Sequence, residues 1–404
     1  YGDKIMEKIS LIIIILSILM LIYSYLVTIK NNNYPKKVKT TKKNAILIPA
    51  RDESKVIESL LISIENQTQK INPEDIYVIV ESSKDRTVKI VKKHKMNIIY
   101  RKDLTKQRKG YALDDVIKEI IINKKHYDAY FIFDADNILE ENYIEEMQKS
   151  IDKGYDIGIS YRNTKNSSSL VAASSALTFS MINTLGNTLK NKYTNNLTIS
   201  GTGYYIKGHL VEEWGGFPFH TLTEDYELTL YSTLNNITTT YNEKAIFYDE
   251  QPDDFKVSII QRTRWVKGYF EARKKYIKKI RKSLTKKDKN YGSKVNAIIG
   301  VKPYIYLLIG VILLIFSSLT FDIKTLIKIL LIVFLTIYLE LVLVSYVIVK
   351  KEDNKLKIKV SKTKLILYNP IFLLSYIICL IKAITTKDLK WEVVEHDKEL
   401  AREE

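Results

Sequence analysis

The sequence predicts an α/β fold in which a mostly parallel sheet, covered on both faces, lies between long apolar helices at the two ends of the chain. Three observations predict it. Short β-rich runs alternate with helical patterns between residues 44 and 160, long apolar runs crowd both ends, and the conspicuous polar residues fall just after the strands. Alternation of strand and helix implies parallel strands with helices on both faces. Runs of about 20 apolar residues match the hydrocarbon thickness of a bilayer. In such sheets ligands bind at the carboxyl ends of the strands.

In chain order, the run ISLIIIILSILMLIYSYLVTI carries no charge before Lys30 and predicts a transmembrane helix over residues 8–28. It is too long for the apolar region of a cleaved signal, and no small-x-small cleavage pattern follows it. Three further apolar runs, at 303–321, 325–349 and 364–383, predict a C-terminal membrane region over 303–383 with about three spans. Lys30, Lys36, Lys37, Lys39, Lys42 and Lys43, the stretch before the second run, and the loop from Lys350 to Lys364 are basic. The positive-inside rule puts all three in the cytosol and the N-terminus outside. Residues 29–282 then form a cytosolic domain, 283–302 a basic juxtamembrane segment and 384–404 a polar tail. The tail emerges outside if all four runs cross; if Trp391 stays cytosolic, the run interrupted by Asn369–Pro370 turns back.

The formal charge of +17 invites a nucleic-acid reading. Much of that excess is juxtamembrane, where the lipid bilayer is the expected partner, so no nucleic acid is expected. The lone cysteine, Cys379, excludes a disulfide within the chain and a cysteine cluster for zinc. The histidines His94, His126, His209, His220 and His396 are scattered without ligand spacing.

Within the domain the expected order is the strand NAILIP, a helix near 54–66, the strand DIYVIVE, a helix, the strand MNIIYR, a helix near 108–122, and the strand YFIFD. Residues 170–189 are uncharged but rich in Ser, Thr and Asn. A crossing there would put Asp136 and Asp225 on opposite sides of the membrane, so the helix at about 168–190 is expected to lie in the interface or pack on the domain. The helix at about 257–281, with Trp265, Tyr269, Phe270 and Tyr276 among many basic residues, reads as interfacial too.

The run FIFDADN ends a strand in two carboxylates, Asp134 and Asp136, spaced so that both can address one ligand. Carboxylates suit a hard divalent cation that keeps waters and bridges substrate phosphates. Alone the pattern is weak, since acids are common at strand ends. Its company is IPARDES (48–54), VIVESSKDRT (78–87), Lys109 in KGYAL, SGTGYYIK (200–207), TLTEDYEL (221–228) and QRTRW (261–265).

In order and spacing these runs, over residues 44 to 270, resemble the inverting family 2 glycosyltransferases of GT-A (Rossmann-like) fold. QRTRW resembles the QxxRW motif of the processive cellulose, chitin and hyaluronan synthases. The resemblance implies that Ala50, Arg51, Glu53 and Glu81 contact the nucleotide, that Lys109, Asp134, Gln261 and Arg264 lie along the diphosphate, and that Asp136 with Asp134 binds Mg2+ or Mn2+. Glu81 stands where the family usually has Asp, and Ser82 where it commonly has Gly.

The same resemblance makes Glu224 and Asp225 of TED the catalytic carboxylates, with Asp225 the general base for an acceptor hydroxyl. It puts Gly201, Thr202 and Gly203 beside the acceptor and makes Trp265 a floor on which a sugar stacks. Against these stand plainer readings: TED as a helix start capped by Thr223, QRTRW as a surface anchor, and SGTG as a turn. The function implied is transfer from a UDP-sugar, with UDP-glucose the named guess, to a growing β-linked glycan at the plasma membrane, with secretion of the product. The alternative is transfer of one sugar to a lipid acceptor such as polyprenyl phosphate or diacylglycerol. Four spans make a slender channel, which favours that alternative or a homo-oligomer. A receptor or scaffold on a dead transferase fold is the third class; Lys109, Asp136, Asp225 and Arg264 together argue against it.

Overall fold

The computed structural model describes residues 2–29, 42–82, 84–188, 197–285, 290–317 and 323–386. Trp391, His396 and the basic residues Lys30 to Lys39 lie outside them. A long helix, α1 (Gly2–Ile29), precedes β1 (Asn44–Pro49), α2 (Ile57–Glu65), β2 (Ile76–Val80), α3 (Arg86–Lys93), β3 (Asn97–Tyr100), α4 (Lys109–Ile122) and β4 (Ala129–Ile132). These are the elements expected from the alternation. β3, β2, β1 and β4 pair in parallel in that order. Successive residues of β1 serve opposite cores: Ala45 and Leu47 pack on one face, Ile46 and Ile48 on the other. That two-sided burial is why NAILIP reads as a continuous apolar run rather than an alternating one.

The second half of the sheet is mixed, which the alternation did not foretell. It contains β5 (Ile138–Leu139), β6 (Ile157–Thr164), β7 (Tyr204–Lys207) and β8 (Thr239–Asp249), giving the order β3-β2-β1-β4-β7-β6-β8-β5. β7 runs antiparallel to both β4 and β6. An antiparallel strand beside β4 begins where β4 ends, so the segment Ser200–Gly203 is delivered to the carboxyl edge of the sheet; the Gly203 amide donates to Ile132 O at 3.0 Å. α5 (Tyr143–Asp152), α6 (Leu170–Met181), a π-helical turn (Ile182–Thr188), α7 (Gly208–Trp214), α8 (Glu224–Leu234) and α9 (Phe255–Lys282) complete the domain.

α6 packs against the C-terminal helices. Ala173, Ala176 and Leu177 are buried against Ile348, Val349, Leu356 and Leu365. The segment 283–302, expected only to be basic, contains α10 (Tyr291–Ile299). Its Tyr291, Val295 and Ile299, each four apart, form an apolar stripe that meets Met20 and Leu284.

The C-terminal region is helical: α11 (Lys302–Ser317), α12 (Ile323–Leu356), α13 (Lys362–Leu374) and α14 (Tyr376–Thr385). Among the described residues, one stretch, Lys362–Thr385, is long and apolar enough to cross a membrane, and Lys8–Met20 forms a shorter apolar helix. α1 packs along α11, and α12 along α13. α12 leaves Leu331, Phe334, Leu339 and Leu343 more than half exposed, a surface that water covers poorly.

The basic run 357–362, which could be read from sequence as a gate or an anchor, is tied to the domain. Ser167 Oγ donates to Lys357 O at 3.3 Å and accepts from the Lys359 amide at 3.0 Å. One turn earlier, buried Glu352 accepts from Tyr161 Oη (2.8 Å) and Thr184 Oγ1 (3.0 Å).

Gly203 shows how tightly the wall behind the site is built. It has φ +68°, and a Cβ there would lie 2.2 Å from the ring of Phe247. Left-handed strain and overpacking add, so Gly203→Ala should lose about 2 kcal/mol or more of stability. Chemical denaturation in mild detergent checks this, and a loss below about 0.5 kcal/mol would show that the wall gives way.

Candidate active site

A cavity of about 610 Å³ opens at the carboxyl edge of the sheet, between the ends of β1, β2 and β4, the start of α8 and one face of α9. The chain reaches it for local reasons. After β1 the backbone turns at Asp52, φ +57°, whose amide donates to Asp85 Oδ2 at 3.0 Å. The other oxygen of Asp85 caps α3 through the Thr87 amide, so the loops after β1 and β2 are held together. Across them Arg51 Nε meets Glu81 Oε2 at 3.0 Å.

Lys109 is the first residue of α4, where the helix dipole disfavours a cation. It is held there by acceptors: Asp134 Oδ1 at 2.5 Å, Gly201 O at 2.6 Å, and Glu224 Oε1 at 4.0 Å. Burial works against the ammonium, but Asp134, Glu224 and Asp225 outweigh it and raise its pKa. Gly110 explains the second letter of the KG pair, since a Cβ there would strike Phe219 O at 1.9 Å.

Asp225 and Glu224 open α8. The Gly201 amide donates to Asp225 Oδ2 at 2.6 Å and the Tyr226 amide to Oδ1 at 2.7 Å. Burial raises the Asp225 pKa; those two amides, Lys109 and Arg162 oppose the rise. Glu224, 7% exposed, is pushed up to about 8, chiefly by burial and also by Asp225, with Lys109 opposing. Burial thus pushes both acids toward the neutral form, and two amides favour the charged form of Asp225 against it.

The plainer reading of TED as a Thr-capped helix start does not account for it. Thr223 sits at the N-cap position without a side-chain capping bond, and its hydroxyl is buried without a partner. α9 crosses this point so closely that a Cβ on Gly268 would lie 2.5 Å from Thr223 Oγ1.

Of the residues singled out in the sequence, Ala50, Arg51, Glu53, Glu81, Lys109, Asp134, Asp136, Gly201, Glu224, Asp225, Gln261, Arg264 and Trp265 all line this cavity. Gln261, Arg264 and Trp265 share one face of α9, at the i, i+3, i+4 spacing. Burial lowers the Arg264 pKa, opposed by Glu224, Asp134 and Asp225.

Thr202 and Gly203 are corrections. They stand one layer behind the lining, because the turn into β7 points Gly203 at Phe247 and sets the Thr202 hydroxyl to accept from the Asp134 amide at 2.8 Å while bonding Asn137. They shape the loop carrying Asp134.

Sequence reasoning missed Arg162, Phe179, Asp249 and Glu250, which also line the cavity. Arg162 Nε donates to Asp249 Oδ2 at 2.6 Å, and its guanidinium lies 3.7 Å over the Phe179 ring, which meets Trp265 edge-on at 5.9 Å. Asp249 and Glu250 end a strand in carboxylates, the same signal that drew attention to FDADN. Arg162 lies inside a strand and carries no such signal.

The Asp136 corner suits a divalent cation. Asp136 Oδ2 accepts the Glu250 amide at 3.0 Å, and Asp249 beside it is pushed up to about 6 by burial and by the Asp136 charge, with Arg162 opposing. Asp249 Oδ1 is buried without a partner. Excess buried negative charge and an orphaned carboxylate oxygen are what a cation relieves. No group of three or more His, Cys, Asp or Glu among the described residues is arranged as a ready-made cage. Such an ion must complete its shell with substrate oxygens and water, as Mg2+ or Mn2+ does in phosphate-binding sites.

The chain is similar to known proteins over the domain that holds this cavity. The model of the family described as "Glycosyltransferase like family 2" matches residues 43–268. The probable glycosyltransferase YdaM of Bacillus subtilis (strain 168) is 27% identical over 258 residues, covering 58% of this chain and 58% of that protein. The chain thus spans less than two thirds of that relative. Among solved structures, the mannosyltransferase PcManGT from Pyrobaculum calidifontis, in complex with GDP-Man and Mn2+, matches with a TM-score of 0.64 and 13% identity, over 95% of this chain and 100% of that one. S. aureus TarS, residues 1–349, matches more loosely, with a TM-score of 0.45 and 14% identity over 70% of this chain and 76% of its own. The likeness to the mannosyltransferase shows a shared GT-A fold.

The raised pKa of Glu224 predicts a pH dependence. The folded state binds a proton that the unfolded chain, with an ordinary carboxyl near 4.5, has released. Stability should therefore fall as pH rises from about 4.5 through about 8. Glu224→Gln removes the titration, so denaturation midpoints of the ligand-free variant at pH 5 and pH 8 should differ less than those of the parent. Equal differences would place the proton elsewhere.

Proposed function

The chain belongs to glycosyltransferase like family 2, and from that membership we propose that it is a membrane-embedded inverting enzyme extending a β-linked glycan from a nucleotide sugar. The observation that carries the reading is the convergence, in one cavity, of Lys109, Gln261 and Arg264 with the acids Asp134, Asp136 and Asp225. Cations and amide donors on one side suit a diphosphate; a half-buried carboxylate in the same cavity suits a hydroxyl nucleophile.

On this reading Ala50, Arg51, Glu53 and Glu81 hold the nucleoside, and Lys109, Gln261 and Arg264 lie along the diphosphate. Asp136 and Asp134, with Asp249 beside them, would hold Mg2+ or Mn2+, which neutralises charge on the leaving diphosphate. The acceptor sugar rests against Trp265, with Phe179 and Arg162 fixing that indole from behind. Asp225 takes the proton of the acceptor hydroxyl as its oxygen bonds to the anomeric carbon. The bond from that carbon to the diphosphate breaks on the opposite face, the nucleoside diphosphate leaves, and the configuration inverts. Glu224, kept neutral, adds no second charge that would raise the proton affinity of its neighbour further.

Polymer extension is supported by the QRTRW face. UDP-glucose remains the first donor to test; the mannosyltransferase of the same fold binds GDP-Man with Mn2+, so a GDP-sugar arm belongs in the same test. The helices support a second reading, transfer of one sugar to a lipid acceptor. α1 pairs with α11 and α12 with α13, an arrangement in two pairs that favours acceptor entry from the bilayer over a closed channel. The proposed location is the plasma membrane, crossed several times, with the domain cytosolic.

Two measurements test the mechanism. Donor hydrolysis and transfer should be screened with UDP- and GDP-sugars in Mg2+, Mn2+ and EDTA, and EDTA should abolish turnover; full activity in EDTA removes the metal from the mechanism. Asp225→Asn keeps shape but cannot take the proton, so the chemical step should slow about 10²-fold or more with donor affinity little changed. A folded, donor-binding variant that turns over at the parent rate would remove Asp225 as base. Product size, on a gel or by extraction into organic solvent, separates polymer from glycolipid.

A further inference from the structure

The face of α9 that carries Gln261, Arg264 and Trp265 has a neighbour that none of the chemistry above uses. Arg262 points about a quarter turn away from them and is 1% exposed, among the largest fully buried side chains. It ends in the break between α13 and α14. Pro370 lies inside α13, and the helix stops at Leu374 and restarts at Tyr376. In an unbroken helix Phe372 O would be taken by the amide four residues on. Here it accepts from Arg262 Nη1 at 3.1 Å, and Ser375 Oγ, which also donates to Phe372 O, accepts from the same nitrogen at 2.8 Å.

The guanidinium is enclosed by Phe372 at 4.0 Å, Tyr376 at 4.9 Å and Phe255 at 5.8 Å. Its Nε returns to Ser258, one turn back on α9. Cys379 Sγ, 3.8 Å from Ile259 O, continues the contact along α14.

We propose that Arg262 is a positioning residue: by filling the break in the apolar helix Lys362–Thr385 it fixes the rotation and depth of α9, and with them the diphosphate-binding groups Gln261 and Arg264. The inference rests on the assignment of those two groups in the proposed function. It adds that donor affinity depends on a contact made outside the cavity, with the stretch apolar enough to cross a membrane. A buried cation that only held the fold together would set how much protein is native. One that sets the angle of α9 also determines how tightly each native molecule grips a diphosphate, since small misplacements of positioned groups cost affinity and rate steeply.

The test is calorimetric titration of the full chain in detergent or nanodiscs with Mn2+–UDP and Mn2+–GDP, using whichever the parent binds. Arg262→Met removes both bonds to the break. It should raise Kd about tenfold or more while the number of binding sites per folded molecule stays the same. Ser375→Ala alters only the far side of the contact, leaves α9 untouched, and should raise Kd in the same direction by a smaller factor; Arg262→Lys should fall between. If Arg262→Met does not fold, Ser375→Ala and Arg262→Lys decide the matter.

Unchanged Kd with fewer sites, or unchanged Kd in Ser375→Ala and Arg262→Lys, would overturn the proposal and leave Arg262 a stability element. Arg264→Ala is the control for the underlying reading. If it weakens binding and the Arg262 series does not, only the positioning role fails. If Arg264→Ala also binds normally, or the parent binds neither nucleotide, the assignment of this face to the donor fails and the inference falls with it.

Discussion

One ammonium group organises this site. Lys109 stands at the start of a helix, against the dipole, because Asp134, Gly201 O and Glu224 converge on it from three separate segments. Those segments are the end of β4, the turn into β7 and the start of α8, which lie up to 115 residues from Lys109 in the chain. Without the cation, three buried or half-buried acids would face one another across the cavity at a cost that burial amplifies. With it, the acids can keep different protonation states in one pocket. The close approach of α4 to Phe219, permitted only by Gly110, and that of α9 to Thr223, permitted by Gly268, are the packing conditions for this convergence.

The parallel half of the fold was legible from periodicity because its strands are buried on both faces and bounded by helical patterns. The mixed half was not. β5 has two residues and β7 four, too short to carry a periodic signal, and the antiparallel placement of β7 is a tertiary choice. Site residues in motif runs were found; Arg162, Phe179, Asp249 and Glu250, which belong to no such run, were not. Arg162 reaches the cavity from within β6, and its role depends on Asp249 arriving on β8 in register with Thr164. Thr202 and Gly203 were misplaced for a related reason: composition marks a close-packed turn, but only the direction of the chain after it shows which residues face the ligand.

The C-terminal helices are joined to the domain by polar contacts as well as by grease. Glu352 on α12 binds Tyr161 and Thr184, and Ser167 holds the chain at Lys357 and Lys359. Thr184 belongs to the π-helical turn that begins at Ile182, and Ile182 lines the cavity. π-turns are rare and are found frequently at functional sites. α12 thus braces the part of the cavity wall that holds Ile182, and α13 and α14 brace α9 through Arg262.

This arrangement bears on why the acid pair is split as it is. A base for a sugar hydroxyl must be charged when substrate arrives, yet burial near other acids favours protonation. Burial raises the pKa of both acids; two amide donors, from Gly201 and Tyr226, oppose the rise at Asp225, and Lys109 opposes it at Glu224. The Gly201 donor exists because β7 starts beside the end of β4, and the Tyr226 donor because α8 starts at Glu224. The two amide bonds to Asp225 thus follow from strand order and helix start, and a transplanted TED without the SGTG turn beside it would lack the Gly201 donor.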